Sequence, residues 1–176
     1  MKLNLGCGSN KLEGYINVDC DSKLEPDWIL DFKDLIWPWE KSSVSQVVCF
    51  HTMEHIPRRY HQTIYSNILG ILVPDGELWL TFPDFNKCAN NYLSNYKGMK
   101  QFWEATIFGR QSCPADFHVC ALTLECVSLE LVRCGFDPYY QGYEPLEPFN
   151  AVIKANKNPN YMTYEDALRD KVWQPG

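Results

Sequence analysis

The glycine turn that follows the first apolar run constrains this chain more than any other feature. Residues 2–6 form a short run that breaks on Gly6-Cys7-Gly8. Such a turn, closing a first strand, lets backbone come close to a ligand. A lone G-x-G says little, but here it stands in register with other strand ends. Tyr15-Ile16-Asn17-Val18-Asp19 alternates and ends on an acid, and Trp28-Ile29-Leu30-Asp31 does the same. Gln46-Val47-Val48-Cys49-Phe50 is an almost unbroken apolar run, the pattern of a strand buried on both faces. Another runs from Gly76 to Phe82 after the turn Val73-Pro74-Asp75-Gly76. Each run ends in a polar or special residue at its C-terminal edge, where open α/β sheets bind ligands.

Helices fit between these strands. Pro57 suits a first helical position, and Tyr60, Ile64 and Ile68 then recur on one face, with Leu69 and Leu72 beside them. A second helix is expected from Thr123, as N-cap, to Cys134, with Gly135 as its stop. Strands near 136–143 and 149–155 follow. The long aromatic stretch 85–121 reads as an insert that caps the substrate side. A polar tail, 157–176, with one helical turn near 163–170, follows the 1–156 domain.

The bulk properties narrow the partners. A chain of 176 residues with 45% apolar content suits one packed domain. Its formal charge of −6 offers no diffuse attraction for phosphate backbones, and Arg58-Arg59 is only a small basic spot. Nucleic acid is therefore disfavoured as a partner. No apolar run is long enough for a membrane span or a leader. The eight cysteines include no C-x-x-C pair, so reduced thiols in a cytoplasmic protein are expected.

The strand-end acids carry chemistry. A carboxylate at Asp19 can accept hydrogen bonds from both hydroxyls of a ribose. Asp31 can accept from an adenine amino group. Only six residues, Ser9 to Gly14, separate the glycine loop from Tyr15. A parallel crossover with its helix takes at least about 10–12 residues. The first crossover helix should therefore be shortened or missing, and with it the helix dipole that usually assists a ligand at this edge.

Taken together, Leu3-Asn4-Leu5-Gly6-Cys7-Gly8, Gly14-Tyr15-Ile16-Asn17-Val18-Asp19, His51-Thr52-Met53-Glu54-His55-Ile56 and Leu72-Val73-Pro74-Asp75-Gly76 resemble the class I S-adenosylmethionine-dependent methyltransferases. The resemblance covers about residues 2–155. It implies a Rossmann-like α/β fold: a mostly parallel seven-stranded sheet, the last strand antiparallel, with helices on both faces. It also implies S-adenosylmethionine as cofactor and S-adenosylhomocysteine as product. Gly6, Cys7 and Gly8 would line the methionine portion and ribose. Asp19 would hold the ribose hydroxyls, with Cys20 beside the adenine and Asp31 and Phe32 at its edge. Backbone at Phe50 and His51 would lie near the sulfonium. The chain departs from the family at Asn4, where many members carry an acid. Its amide carbonyl can still accept from an ammonium group. Lys11 is placed to reach the methionine carboxylate.

Candidates for a general base are His51, Asp84 and His118. The acceptor is expected to be a small molecule, of a kind the sequence does not name. Three rival readings remain. One is a non-catalytic cofactor-binding or partner subunit of the same fold. A second is a nicotinamide-dependent enzyme, disfavoured by the lack of a third spaced glycine. The third is a zinc hydrolase, because His51-Thr52-Met53-Glu54-His55 matches H-x-x-E-H. That chemistry needs both histidines on one helix face. Here they fall on a strand end and the turn after it, so no metal is expected.

Overall fold

The computed structural model describes residues 1–161. Seven strands form one sheet: β1 (Lys2–Leu5), β2 (Ile16–Asp19), β3 (Trp28–Ile29), β4 (Val44–Phe50), β5 (Leu72–Pro83), β6 (Phe136–Tyr143) and β7 (Asn150–Lys157). The spatial order is β3-β2-β1-β4-β5-β7-β6. The first five are parallel neighbours, and β7 runs antiparallel to both β5 and β6. This is the expected mostly parallel, Rossmann-like sheet. Among the described residues four α-helices accompany it: α1 (His61–Ile71), α2 (Phe85–Leu93), α3 (Lys100–Phe108) and α4 (Leu124–Arg133). Among the described residues, no helix is long and apolar enough to cross a membrane.

The register sorts the two faces. Leu3, Val47, Leu78 and Ala155 lie in one row across the strands, and Leu5, Cys49, Leu80 and Ile153 in the next row on the same side. These residues join Ile64, Tyr65 and Ile68 of α1 and Val127 and Leu131 of α4 in the hydrophobic core. The expectation of helices on both faces thus sharpens: α1 and α4 share one core on one face. Parallel crossovers are nearly always right-handed. Helices between β1 and β2, or between β2 and β3, would therefore cover the other face. Residues 6–15 hold no helix, and the β2–β3 link has only a single 3₁₀ turn, Ser22–Leu24. The opposite face carries a polar ladder instead. Tyr15 donates to Gln46, Gln46 Nε2 donates to Glu77 at 2.9 Å, and Tyr139 donates to Glu77 at 2.8 Å. Lys154 lies 3.9 Å over the Trp79 ring.

One asparagine replaces what the missing helix would have organised. Buried Asn17 accepts from Asn4 Nδ2 (3.0 Å) and Leu12 N–H (2.8 Å). Its own Nδ2 donates to Asp27 Oδ2 at 2.9 Å, with longer contacts to the Leu12 and Tyr15 carbonyls. Asp27 also accepts from Asn17 N–H, and these bonds hold its carboxyl below the usual range. We expect Asn17→Ala to cost about 2–4 kcal/mol, because it orphans several part-buried polar groups at once. Urea denaturation reads this out; a loss under about 1 kcal/mol, a single net hydrogen bond, would show that the loop holds itself.

The helix expected from Pro57 begins later. Residues Arg58–Tyr60 form a 3₁₀ turn, α1 starts at His61, and Leu72 opens β5. The turn at 73–76 does not precede β5 but lies inside it. Pairing advances from Val44 to Gln46 on β4 but from Leu72 to Glu77 on β5, with Asp75 at φ 60. Helix α4 matches its local signals: Thr123 Oγ1 accepts from Cys126 N–H at 3.2 Å, and Gly135 follows at φ 96. The sheet runs one residue past the expected domain end, to Lys157. Asn158 N–H then bonds back to Gly135 O at 3.0 Å. The helical turn expected near 163–170 lies outside the described residues.

Candidate functional site

A cavity of about 660 Å³ opens at the C-terminal edge of the sheet. That is within the roughly 300–1,000 Å³ usual for small-molecule sites. One end is the glycine loop, with Asn4, Gly6, Cys7, Gly8 and Asn10. The other holds Phe50, His51, Glu54, His55 and His118. The expected insert contributes a wall through Phe102, Thr106 and Arg110 of α3 and the loop after it, and the β6–β7 connection adds Glu147 and Phe149. Phe102, Trp103 and Phe149 pack edge-on, at centroid distances of 4.9–5.8 Å, and fix α3 to that connection.

The glycine loop is built differently from the expectation. Its N–H groups do not point to the cavity. Those of Gly6 and Cys7 both donate to Val18 O, at 2.8 and 3.1 Å, and that of Gly8 donates to Asp19 Oδ2 at 2.9 Å. Donors near β2 are spent on β2 because no helix N-terminus is there to receive the chain. Gly6 has φ +68, and a Cβ there would fall 2.2 Å from Thr52 Oγ1. At Gly8 a Cβ would meet nothing within 4 Å, so the space beside the loop is open.

Asn4 is 3% exposed and commits Nδ2 to Asn10 O and Asn17 Oδ1, both at 3.0 Å. Its carbonyl is the part of the amide left to accept. Asp19 accepts from Gly8 N–H on one oxygen and from Asp21 N–H (3.0 Å) on the other. A carboxylate offers about four lone-pair sites, so two remain for further donors.

Several sequence candidates lie outside the lining of this cavity: Lys11, Asp19, Cys20, Asp31, Phe32 and Asp84. Lys11 donates to the Glu25 carbonyl instead of standing over the glycine loop. Exposed Cys20 sits near Asp19 and Asp31; partial burial, then those charges, push its thiol up. Asp31 turns back to its own loop, accepting from Lys33 N–H at 3.0 Å and pairing with Lys33 Nζ at 2.9 Å. Burial opposes its ionisation, but Lys33 outweighs it and holds the carboxyl below the usual range. The Phe32 ring is buried in the core, 6.0 Å from Trp37. Only its backbone is left to meet a ligand.

Asp84 is not placed as a base. It is 3% exposed, accepts from Lys87 N–H (3.1 Å) as the N-cap of α2, and accepts from Leu124 N–H (2.9 Å) at the start of α4. Both oxygens hold backbone, so the residue is a joint between two helices.

The histidine end is closer to the expectation. His51 follows β4 in the left-handed region, at φ 49, which is uncommon for a residue with a side chain. Its N–H donates to Thr81 O at 2.9 Å. Its Nδ1 stands 3.5 Å from Glu54 Oε1. Burial opposes charge on His51, but Glu54, with Glu144 and Glu147 behind it, raises its pKa overall. His118 is shifted down by burial and by His55 beside it, against the opposing charge of Glu54. The rings of His55 and His118 meet edge-on, 4.8 Å between centroids. Sequence reasoning named His51 and His118 singly. It did not foresee that Glu54 and His55 join His118, since residues 54–56 and 117–120 come together only in three dimensions. It also missed Glu147 and Phe149, whose loop carries no local signal for a site.

No family model matches the chain, and no curated protein matches it. Solved structures do. An S-adenosylmethionine-dependent methyltransferase from Methanosarcina mazei aligns with TM-score 0.65 and 17% identity, over 89% of this chain and 92% of that one. Another from Thermotoga maritima aligns with TM-score 0.62 and 13% identity, over 89% and 81%. One from Archaeoglobus fulgidus aligns with TM-score 0.60 and 14% identity, over 89% and 85%. At these identities it is the fold that is shared: the chain has the fold of S-adenosylmethionine-dependent methyltransferases.

Proposed function

We propose that this chain is an S-adenosylmethionine-dependent methyltransferase acting on a small-molecule acceptor. The carrying observation is a cavity that starts at the glycine loop and ends under the α3 wall, at the C-terminal edge of a sheet of this fold. The residues fit the cofactor. Space is open at Gly8, the Asn4 carbonyl can accept from an ammonium, and Asp19 keeps acceptor capacity for two ribose hydroxyls. Lys11 and Asp31 are held by their own loops and would contribute through the shape of those loops. Bound there, S-adenosylmethionine supplies an electrophilic methyl group. Such a displacement depends above all on alignment. The chain's part is to hold the acceptor between the loop and Phe50, His51 and Phe102, and to exclude water beneath α3.

A second reading, a non-catalytic subunit of the same fold, draws support from the loop N–H groups being spent on β2. Calorimetry separates the readings. Saturable binding of S-adenosylhomocysteine, with none of NAD, is expected. Binding of NAD alone, or of neither, would overturn the assignment. Transfer of labelled methyl to members of an acceptor panel then distinguishes the enzyme from the partner subunit. All eight cysteines are free.

A further inference from the structure

Glu54 is buried with its charge poorly matched. It is 2% exposed, and both carboxylate oxygens are buried without a hydrogen-bond donor. A buried carboxylate in that state is strongly unfavourable unless it takes up a proton or a cation faces it. His51 Nδ1 reaches only to 3.5 Å, beyond ordinary charge-assisted bonding. What does surround Glu54 is a pair of imidazoles. One ligand atom each from Glu54, His55 and His118 falls within a 4.8 Å span.

We infer that Glu54, His55 and His118 form a site for a divalent transition-metal ion of the zinc class, on the acceptor side of the cavity. Two imidazoles and a carboxylate are a donor set that suits zinc, cobalt or iron, and that magnesium and calcium disfavour. His55 is already oriented as a ligand. Its Nδ1 lies 3.1 Å from Phe117 O, so Nδ1 carries the proton and Nε2 is left with its lone pair. The frame is preset by backbone: Val119 N–H donates to Glu54 O at 2.9 Å, and His118 N–H to Phe108 O at 3.0 Å. Ligand atoms around a tetrahedral zinc lie about 3.3 Å apart, so rotation of the Glu54 and His118 side chains closes the set while His55 keeps its bond to Phe117 O.

All three residues line the cavity. Three protein ligands leave at least one position open to it, the arrangement of a metal that binds substrate or water. The ligand that would enter is an acceptor bearing an oxygen, nitrogen or thiolate donor, which the ion would hold and orient. This set is not the inverted-peptidase triad of the sequence motif. His118 takes the place of His51, and Glu54 and His55 lie on a short 3₁₀ turn, Met53–His55, and not on an α-helix.

The metal site stands apart from methyl transfer, while its role in holding an acceptor rests on that reading; the test reads metal directly. The full chain, treated with chelator, is titrated with Co²⁺ by calorimetry and visible absorption, then with Zn²⁺ in competition. One equivalent of each is expected, with no competition from Mg²⁺. Glu54→Gln and His118→Gln should each weaken Co²⁺ binding by roughly 100-fold or more, the upper end of what losing a mere orienting partner costs. His51→Gln, which removes a neighbour of Glu54 but no ligand, should weaken it less than either. Far-ultraviolet circular dichroism of the same variants reports whether they fold, and S-adenosylhomocysteine titration keeps the cofactor reading separate. Absence of saturable Co²⁺ binding by the unaltered chain overturns the site. So does a His118→Gln variant that binds Co²⁺ as tightly as the unaltered chain, or a His51→Gln variant that loses as much affinity as His118→Gln.

Discussion

Replacing Gly6 with alanine is expected to cost about 3–5 kcal/mol of folding stability, from left-handed strain plus overpacking, and to abolish S-adenosylhomocysteine binding. The strain arises because Gly6 sits at φ +68. The overpacking arises because the new Cβ would lie within 2.8 Å of three Thr52 side-chain atoms. Thr52 cannot swing away freely. It is buried, and its hydroxyl donates to Phe50 O at 3.0 Å. Relief must come from the loop, which is tied to Val18 by two N–H groups. Urea denaturation gives the first quantity and calorimetry the second. A variant that loses under about 1 kcal/mol, less than left-handed strain alone, and still binds would show that the loop is not held as described.

Gly109→Ala should be at least as costly, about 3–5 kcal/mol by the same two terms, but should act on the other end of the cavity. Gly109 has φ +82, and a Cβ there would fall 1.7 Å from Asp116 O and 2.9 Å from His118 N. Both contacts are with backbone, so the whole return from Gly109 to His118 has to shift. His118 would lose its bond to Phe108 O, and with it its position beside His55. The expected signature is a split. If the variant folds at low temperature, Co²⁺ binding is lost while S-adenosylhomocysteine still binds. Retained Co²⁺ affinity would contradict the role given to this turn.

Much of the sheet was legible because its signals are local. Alternation or an apolar run marks β1, β2, β3 and β4, and each sits within a few residues of its expected place. Helix α4 was legible from both ends, since Thr123 and Gly135 act on their own neighbours. The start of α1 was not, because a proline at 57 suits a 3₁₀ turn as well as an α-helix. Asp84 shows a deeper limit. An acid after a strand looks the same whether it caps the next helix or faces a ligand; only the Lys87 and Leu124 N–H groups decide, and Leu124 is 40 residues away. Lys11 and Asp31 illustrate the same point, with their oxygens or ammonium spent on nearby loops. The Glu54–His55–His118 grouping depends on a turn at Gly109 and on the bond from Val119 to Glu54, so neither spacing nor residue type could announce it.

The short link between β1 and β2 also bears on how the chain reaches this state. Parallel strands ordinarily have to wait for a helix to form and dock between them, which makes their pairing non-local and slow. Here residues 6–15 are the whole connection, and Asn17 ties them from within. Closing so small a loop is an early, inexpensive event. The pairing of β1 with β4 must instead bring together residues about 44 apart, Lys2 with Gln46. The search that limits the rate therefore moves out of the glycine-loop corner and into the middle of the sheet.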